Sequence, residues 1–310
     1  TSGPGLSLMV EGLGLASMAE LPCVVVDAQR AGPSTGMPTK HEQGDLFLAY
    51  AGGHGEVQRI VLAPATVEDC FYQVVNAFNL ADKYQMPVVV LSDTVLATRT
   101  QSVPRPDVRH VPRVERLLYH PNGHDGADEG ERFRRYLLST EDGVSPMSIP
   151  GQRGGQYVAT GLEHNELGRP RYSPEIHSAM TRKRFRKLEA AAHDAPPPLR
   201  VGDPEAEVGI VTWGSTAGHV VEAVELAHQQ GLRVDALVPK MVWPLPDGQL
   251  RPFVEGKRVV VVPEVNYSGQ FAELLAARYK REFVKLNVCG GAPFRVDQIV
   301  QAISEVVQHV

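Results

Sequence analysis

The chain has 310 residues, 43% of them hydrophobic and 22% charged, enough to bury a large core and too apolar for a disordered chain. Lys and Arg total 31 against 36 Asp and Glu, a net charge of -5, which argues against a general nucleic-acid partner, whose footprint would be basic. No apolar run nears the roughly 20 residues of a bilayer span, and no charged-then-apolar leader opens the sequence, so no membrane partner is expected.

The first residue is Thr1, and Thr1–Gly5 (TSGPG) reads as the turn after a strand, so the chain is expected to be the C-terminal piece of something longer. A helix-like run follows through Leu8, Gly12, Leu15 and Ala19. Free N–H groups at a helix start favour anions, but TSGPG is not GxGxxG, and a tight turn that needs glycine is the plainer reading.

Pro22–Ala28 is a β-branched run that predicts a strand, and Arg30 then falls at its C-terminal end. In open α/β sheets ligands bind at that edge. The loop Gly32–Lys40 (GPSTGMPTK) and His41 follow, carrying two prolines, two glycines, hydroxyls and a lysine. A solvated Ω-loop is the bland reading. An arginine favours a carboxylate ligand, because its planar fork holds two oxygens at once.

Arg59–Leu62 predicts another short strand, and Thr66 with Asp69 three residues on marks a helix start. Cys70, Val74, Ala77, Phe78 and Ala81 recur at helical spacing as its apolar face. Pro87 stops that helix and leads into VVVL, a run without alternation that suits a strand buried on both faces. Strand, helix and strand in this order mean βαβ units and a parallel sheet.

From about Arg99 to Ala195 the pattern dissolves into prolines, glycines and the polar tract His120–Glu131, with GLEH at Gly161–His164 reading as an ordinary turn. So long an irregular stretch is usually functional or an interface. It ends in a charged helix-like segment, Arg182–Ala192, whose basic run RKRFRK (Arg182–Lys187) is expected on a solvated or subunit-facing surface. The segment APPPLRVGDPEAE reads as a linker.

Beyond it the alternation restarts. Val208–Trp213, Arg233–Val238 and Arg258–Val262 predict strands. Val220, Val224 and Ala227 mark one helix, Phe271, Leu274, Leu275 and Tyr279 a second, and Ile299, Ile303 and Val306 the last. Three cysteines (Cys23, Cys70, Cys289) lie far apart without a CxxC pair, which suits a cytoplasmic location and excludes a self-contained iron–sulfur cluster. No HExxH pattern appears, and no metal site is expected.

The string TSGPGLSLMVEGLGLASMAELPCVVVDAQRAGPSTGMPTKHEQGDL closely resembles the alpha subunit of 2-oxoacid:ferredoxin oxidoreductases of the 2-oxoglutarate type. STEDGVSPMSIPG, YVATGLEH, VGIVTWGS, VVPEVNYSGQFAELL and GGAPF continue the likeness along the whole chain. The resemblance implies an α/β fold: residues 1–195 a thiamine diphosphate-binding, pyrimidine-type parallel-sheet domain, and 196–310 a transketolase C-terminal-like α/β domain. It implies oxidative decarboxylation of 2-oxoglutarate with coenzyme A to succinyl-CoA, CO2 and reduced ferredoxin. A partner beta subunit would hold the diphosphate, its Mg2+ and a [4Fe–4S] cluster in an α2β2 assembly.

The resemblance also assigns roles. Arg30 matches the arginine that grips the 2-oxoacid carboxylate, Lys40 and His41 are candidates for the distal carboxylate or for ordering the loop, and Ser34, Thr35 and Thr39 are candidate cofactor or substrate hydroxyls. The glutamate that activates the aminopyrimidine ring and a substrate-contacting threonine would lie ahead of TSGPG, so these residues alone are expected to be inactive. The missing piece is expected as an N-terminal alpha segment or a gamma-type domain. Pyruvate or branched-chain 2-oxoacids are the alternative substrates, and a noncatalytic assembly subunit is the alternative from another class. A dinucleotide-binding dehydrogenase has the wrong glycine pattern.

Overall fold

The computed structural model describes residues 1–107, 109, 112–120 and 132–309; the polar tract after His120 lies outside them. Two α/β units are built as expected. The first opens with α1 (Gly3–Met18), β1 (Cys23–Gln29), α2 (Leu46–Ala51), β2 (Ile60–Leu62), α3 (Val67–Tyr84), β3 (Pro87–Asp93) and α4 (Thr94–Thr98). After a long irregular stretch comes α5 (Pro174–Ala191). The second holds β4 (Leu199–Gly202), β5 (Val208–Val211), α6 (Thr216–Gln229), β6 (Asp235–Val238) and β7 (Met241–Trp243). It closes with α7 (Asp247–Glu255), β8 (Val259–Glu264), α8 (Gln270–Tyr279), β9 (Val284–Asn287) and α9 (Val296–Gln308).

Local chemistry explains the boundaries. Thr66 caps α3 by accepting from the Asp69 amide at 3.0 Å, while the Asp69 carboxylate accepts from the Ala65 amide rather than from Thr66 itself. Gln85 ends α3 in the left-handed conformation, and Pro87 opens β3, whose seven residues are all buried. Strand β3 is covered on both faces, as its unbroken VVVL run demands.

The first sheet runs β1-β3-β2-β7 and the second β4-β6-β5-β8-β9. Strands β1, β3 and β2 are parallel, but β7 pairs antiparallel with β2, so a strand from beyond the apparent linker completes the first sheet. The linker itself contains β4, an antiparallel edge strand on β6. One apolar cluster joins Leu6, Val61 and Val89 of the first unit to Val211, Trp213, Leu250 and Phe271 of the second. The two units therefore share a core.

Three sequence expectations need correction. The helix-like run is α1, but Leu8 is 88% exposed and Leu15 46%, because α1 turns Leu6, Leu13 and Ala16 inward instead. Phe78 is 57% exposed, since α3 buries the Ala77, Leu80, Ala81 and Tyr84 face instead. The RKRFRK run is not solvated: Lys183 and Lys187 are buried on α5 and both donate to Glu20.

That last contact orders the irregular stretch. Burial alone would push the Glu20 carboxyl up, but Lys183, Lys187 and Arg135 outweigh it and hold it well below the usual carboxylate range. The Arg135 guanidinium also donates to the Glu20 carbonyl at 2.6 Å, and the Gln85 amide to the Ser145 carbonyl at 2.7 Å. GLEH joins the same web, with Glu163 accepting from both terminal nitrogens of Arg184 and from His177. With few ladder hydrogen bonds, side-chain charges hold this region to the end of α1 and to α5.

Candidate functional site

The site candidates gather at the C-terminal ends of β1 and β3. The two strands are in register, with Gln29 opposite Asp93, so the chain leaves the sheet there on both sides. Gln29 fixes the exit: its side chain donates to the Ser92 carbonyl and accepts from the Asp45 amide, each at 3.0 Å. Arg30 is the next residue.

The Arg30 guanidinium donates through Nε to Ser2 Oγ at 3.2 Å and through Nη1 to the Thr35 carbonyl at 2.6 Å. Both acceptors are neutral, and Arg30 has no carboxylate within ion-pair distance among the described residues. It is thus held in one orientation by neutral groups. The loop it starts closes on itself, with the Ala31 amide donating to the Lys40 carbonyl at 2.9 Å and the Met37 amide to the Ala31 carbonyl at 2.9 Å. Gly36 sits inside this turn at φ +49°, where a Cβ would meet the Ala31 carbonyl oxygen at 2.1 Å, so only glycine fits. Thr94 Oγ1 reaches the carbonyls of both Gln29 and Lys40, pinning the neck to the start of α4.

Lys40 is exposed at the neck, and its ammonium has no ion-pair partner among the described residues. His41 differs from the distal-carboxylate role open to it. Its ring is 4% exposed, 3.7 Å from the Asp93 carboxylate, and burial lowers its basicity, with Asp93 opposing and His219 assisting. Its setting suits the other role, that of ordering the loop. Ser34, at φ +56°, and Thr39 lie exposed on the loop, while Thr35 gives its carbonyl to Arg30.

Carboxyls surround the base. Asp27 is fully buried on β1 with neither oxygen hydrogen-bonded, and burial followed by the nearby Asp45 pushes it up to about 7. Asp45 is raised to about 6 by burial and by Glu42, with Arg30 pulling the other way. Glu42 accepts from the Gly32 amide at 3.0 Å.

Motifs from the second unit close over the loop from behind. Gln43 donates to the Trp213 carbonyl at 2.9 Å and accepts from Thr216 Oγ1 at 2.7 Å and the Val265 amide at 3.1 Å. Asn266 donates to the Gln43 carbonyl, the Ser215 amide to Asp93, and the His41 amide to the Gly291 carbonyl at 3.1 Å. Residues Ser2, Gln43, Asp93, Asn266 and Gly291 were not singled out from the sequence. Their only signal there was membership in longer strings, Ser2 and Gln43 in the one from TSGPG to KHEQGDL, Asp93 at the end of VVVLSD, Asn266 in VVPEVNYSGQFAELL and Gly291 in GGAPF, which the fold brings to one place.

Thiamine diphosphate can be tested against this loop. The amides of Gly32, Met37 and Lys40 are already used, by Glu42, Ala31 and Met37, while those of Ser34, Thr35, Gly36 and Thr39 have no partner among the described residues. Exposed hydroxyls of Ser34 and Thr39 suit the uncharged ring end of the cofactor. Among the described residues, no three His, Cys, Asp or Glu group to hold a metal ion.

Comparison with known proteins gives matching results. Residues 1–183 match the model for the thiamine diphosphate-binding part of pyruvate flavodoxin/ferredoxin oxidoreductase, and 206–299 that for pyruvate:ferredoxin oxidoreductase core domain II. The 2-oxoglutarate:ferredoxin oxidoreductase from Magnetococcus marinus, solved with 2-oxoglutarate, coenzyme A and succinyl-CoA bound, superposes with a TM-score of 0.93 at 46% identity. That match covers 99% of this chain and 52% of the other. The alpha subunit of a 2-oxoacid:ferredoxin oxidoreductase from Saccharolobus solfataricus is 36% identical over 99% of this chain and 48% of its own length. The 2-oxoglutarate synthase subunit KorA of Methanothermobacter marburgensis is 33% identical over 98% of this chain and 78% of its own. The chain thus spans about half the length of the first two and most of the third.

Proposed function

The chain belongs to the family of 2-oxoacid:ferredoxin oxidoreductase alpha subunits, and on that premise we propose that it binds 2-oxoglutarate for oxidative decarboxylation to succinyl-CoA, CO2 and reduced ferredoxin. One observation carries the choice of substrate. Arg30 and Lys40, at the two feet of one closed loop, are cations with no carboxylate within ion-pair distance among the described residues. A dicarboxylate can engage both. A monocarboxylate such as pyruvate leaves one unmatched.

Arg30 holds the carboxylate beside the keto group, and its fixed fork orients the keto carbon toward the subunit seam, positioning that lowers a barrier by several kcal/mol. Lys40 receives the distal carboxylate, which would cost heavily if left unpaired away from water. His41 orders the loop from below, and Ser34, Thr35 and Thr39 offer hydroxyls to substrate or cofactor. Thiamine diphosphate, when bound, supplies the nucleophilic carbon that attacks the keto group. We assign the diphosphate, its Mg2+ and a [4Fe–4S] cluster to a beta subunit; for the cluster this is supported by three dispersed cysteines, too few for four thiolate ligands. Coenzyme A and ferredoxin are the remaining reactants, and the site is cytoplasmic.

Strand β1 is the edge of its sheet, yet the Thr1 amine donates to the Val26 carbonyl and the Ala28 amide to the Thr1 carbonyl on its outer side. We assign the activating glutamate to an N-terminal alpha segment or a gamma-type chain. The test is reconstitution with the beta subunit and the preceding segment, then acceptor reduction with 2-oxoglutarate, pyruvate and branched-chain 2-oxoacids. Preference for 2-oxoglutarate supports the reading. Equal or better turnover of the monocarboxylates overturns the substrate choice, and no turnover of any of them favours an assembly role.

A further inference from the structure

Resting on that reading, we infer that Gly291, in the second unit, is a specificity-determining position that sets where Lys40 stands and so whether a dicarboxylate is preferred. Gly291 is buried, at φ +76°, and the loop packs directly on it. A Cβ built at this position would lie 2.8 Å from Lys40 Cβ, 2.9 Å from Met37 Cε and 3.2 Å from Lys40 Cγ. The first of these is a contact with the root of the side chain, so rotation about a flexible tip cannot relieve it. The neighbouring His41 amide is tied to the Gly291 carbonyl at 3.1 Å, which keeps Lys40 from sliding along the turn.

The far side of the neck is fixed independently. Lys40 gives its carbonyl to Ala31 and to Thr94 Oγ1, and Arg30 is anchored on Ser2 and Thr35. Pushing at Gly291 therefore redirects the Lys40 side chain, whose backbone is pinned, while the Arg30 guanidinium stays on Ser2 and Thr35. The ligand end that senses the change is the distal carboxylate. The 2-oxo acid end, held by Arg30, does not sense it.

The experiment uses the reconstituted complex and compares 2-oxoglutarate with 2-oxobutyrate, an acid with no distal carboxylate. Gly291→Ala should raise KM for 2-oxoglutarate about tenfold while KM for 2-oxobutyrate changes less than about twofold, with kcat preserved for both. Gly291→Asn, a residue that tolerates left-handed backbone and adds the same Cβ, should repeat the result with less strain. Lys40→Ala should lose the same discrimination, and the double variant Lys40→Ala with Gly291→Ala should bind 2-oxoglutarate no worse than Lys40→Ala alone, because both act on it through the position of the Lys40 ammonium. Equal KM increases for the two acids in both glycine variants, no change in either, or additive effects in the double variant would overturn the inference. Those results leave the functional reading standing if the unaltered complex still prefers 2-oxoglutarate; that reading fails separately if the unaltered complex shows no such preference.

Discussion

Arg30 donates its Nε hydrogen to Ser2 Oγ at 3.2 Å, joining two glycine-bearing turns that lie 28 residues apart in the chain. The TSGPG turn thus acts as a brace for the guanidinium, where its sequence offered only a tight turn or a phosphate cradle. The other brace, the Thr35 carbonyl, belongs to the loop that the arginine itself begins. A cation held by two neutral acceptors is oriented without being neutralised.

Arg30→Lys should raise KM for 2-oxoglutarate in the reconstituted complex by tenfold or more, the equivalent of ~1.5–3 kcal/mol for a charged hydrogen bond. Lysine keeps the charge but loses the fork and the contacts to Ser2 and Thr35. Steady-state kinetics decide it. Unchanged KM and kcat would remove Arg30 from the pocket.

Gly36→Ala should act on the loop alone. Its Cβ would collide with the Ala31 carbonyl, and φ +49° adds backbone strain, together on the order of 1–3 kcal/mol. KM should rise severalfold, with the thermal midpoint of the chain lowered by only a few degrees. A large loss of global stability with normal KM would show that the turn serves the fold and not the ligand.

Glu20→Ala should destabilise the chain by about 3–5 kcal/mol, because it leaves Lys183 and Lys187 buried without their counter-charge. Urea denaturation followed by circular dichroism measures this. A loss below about 1 kcal/mol would mean that the two lysines find other partners, and the web around the irregular stretch is less tightly coupled than its geometry implies.

The buried carboxyls give a pH dependence of definite sign. Asp27 is raised to about 7 and Asp45 to about 6, so between roughly pH 4 and 7 the folded chain holds more protons than the unfolded one. Stability should be fullest near pH 4, as far as these two groups decide it, and fall by several kcal/mol as pH rises through their folded values. Asp27→Asn should flatten most of that slope. A melting profile with the same slope in the variant would assign the effect elsewhere.

The α/β class, the capped start of α3, its stop before Pro87 and the buried β3 are decided by neighbours in sequence: spacing of apolar residues, a hydroxyl at a helix start, a proline. Arg30 at a strand end and a loop closed by Gly36 are of the same kind. What only the tertiary structure decided are pairings between distant residues: Glu20 with Lys183 and Lys187, β7 with a strand some 180 residues earlier in the chain, and Gly291 under Lys40. A lone glutamate, a basic run or a glycine pair has no local mark that names its partner. Burial turned the basic run from a solvated face into a counter-charge, because desolvation makes an unpaired charge intolerable and thereby selects the one carboxylate within reach.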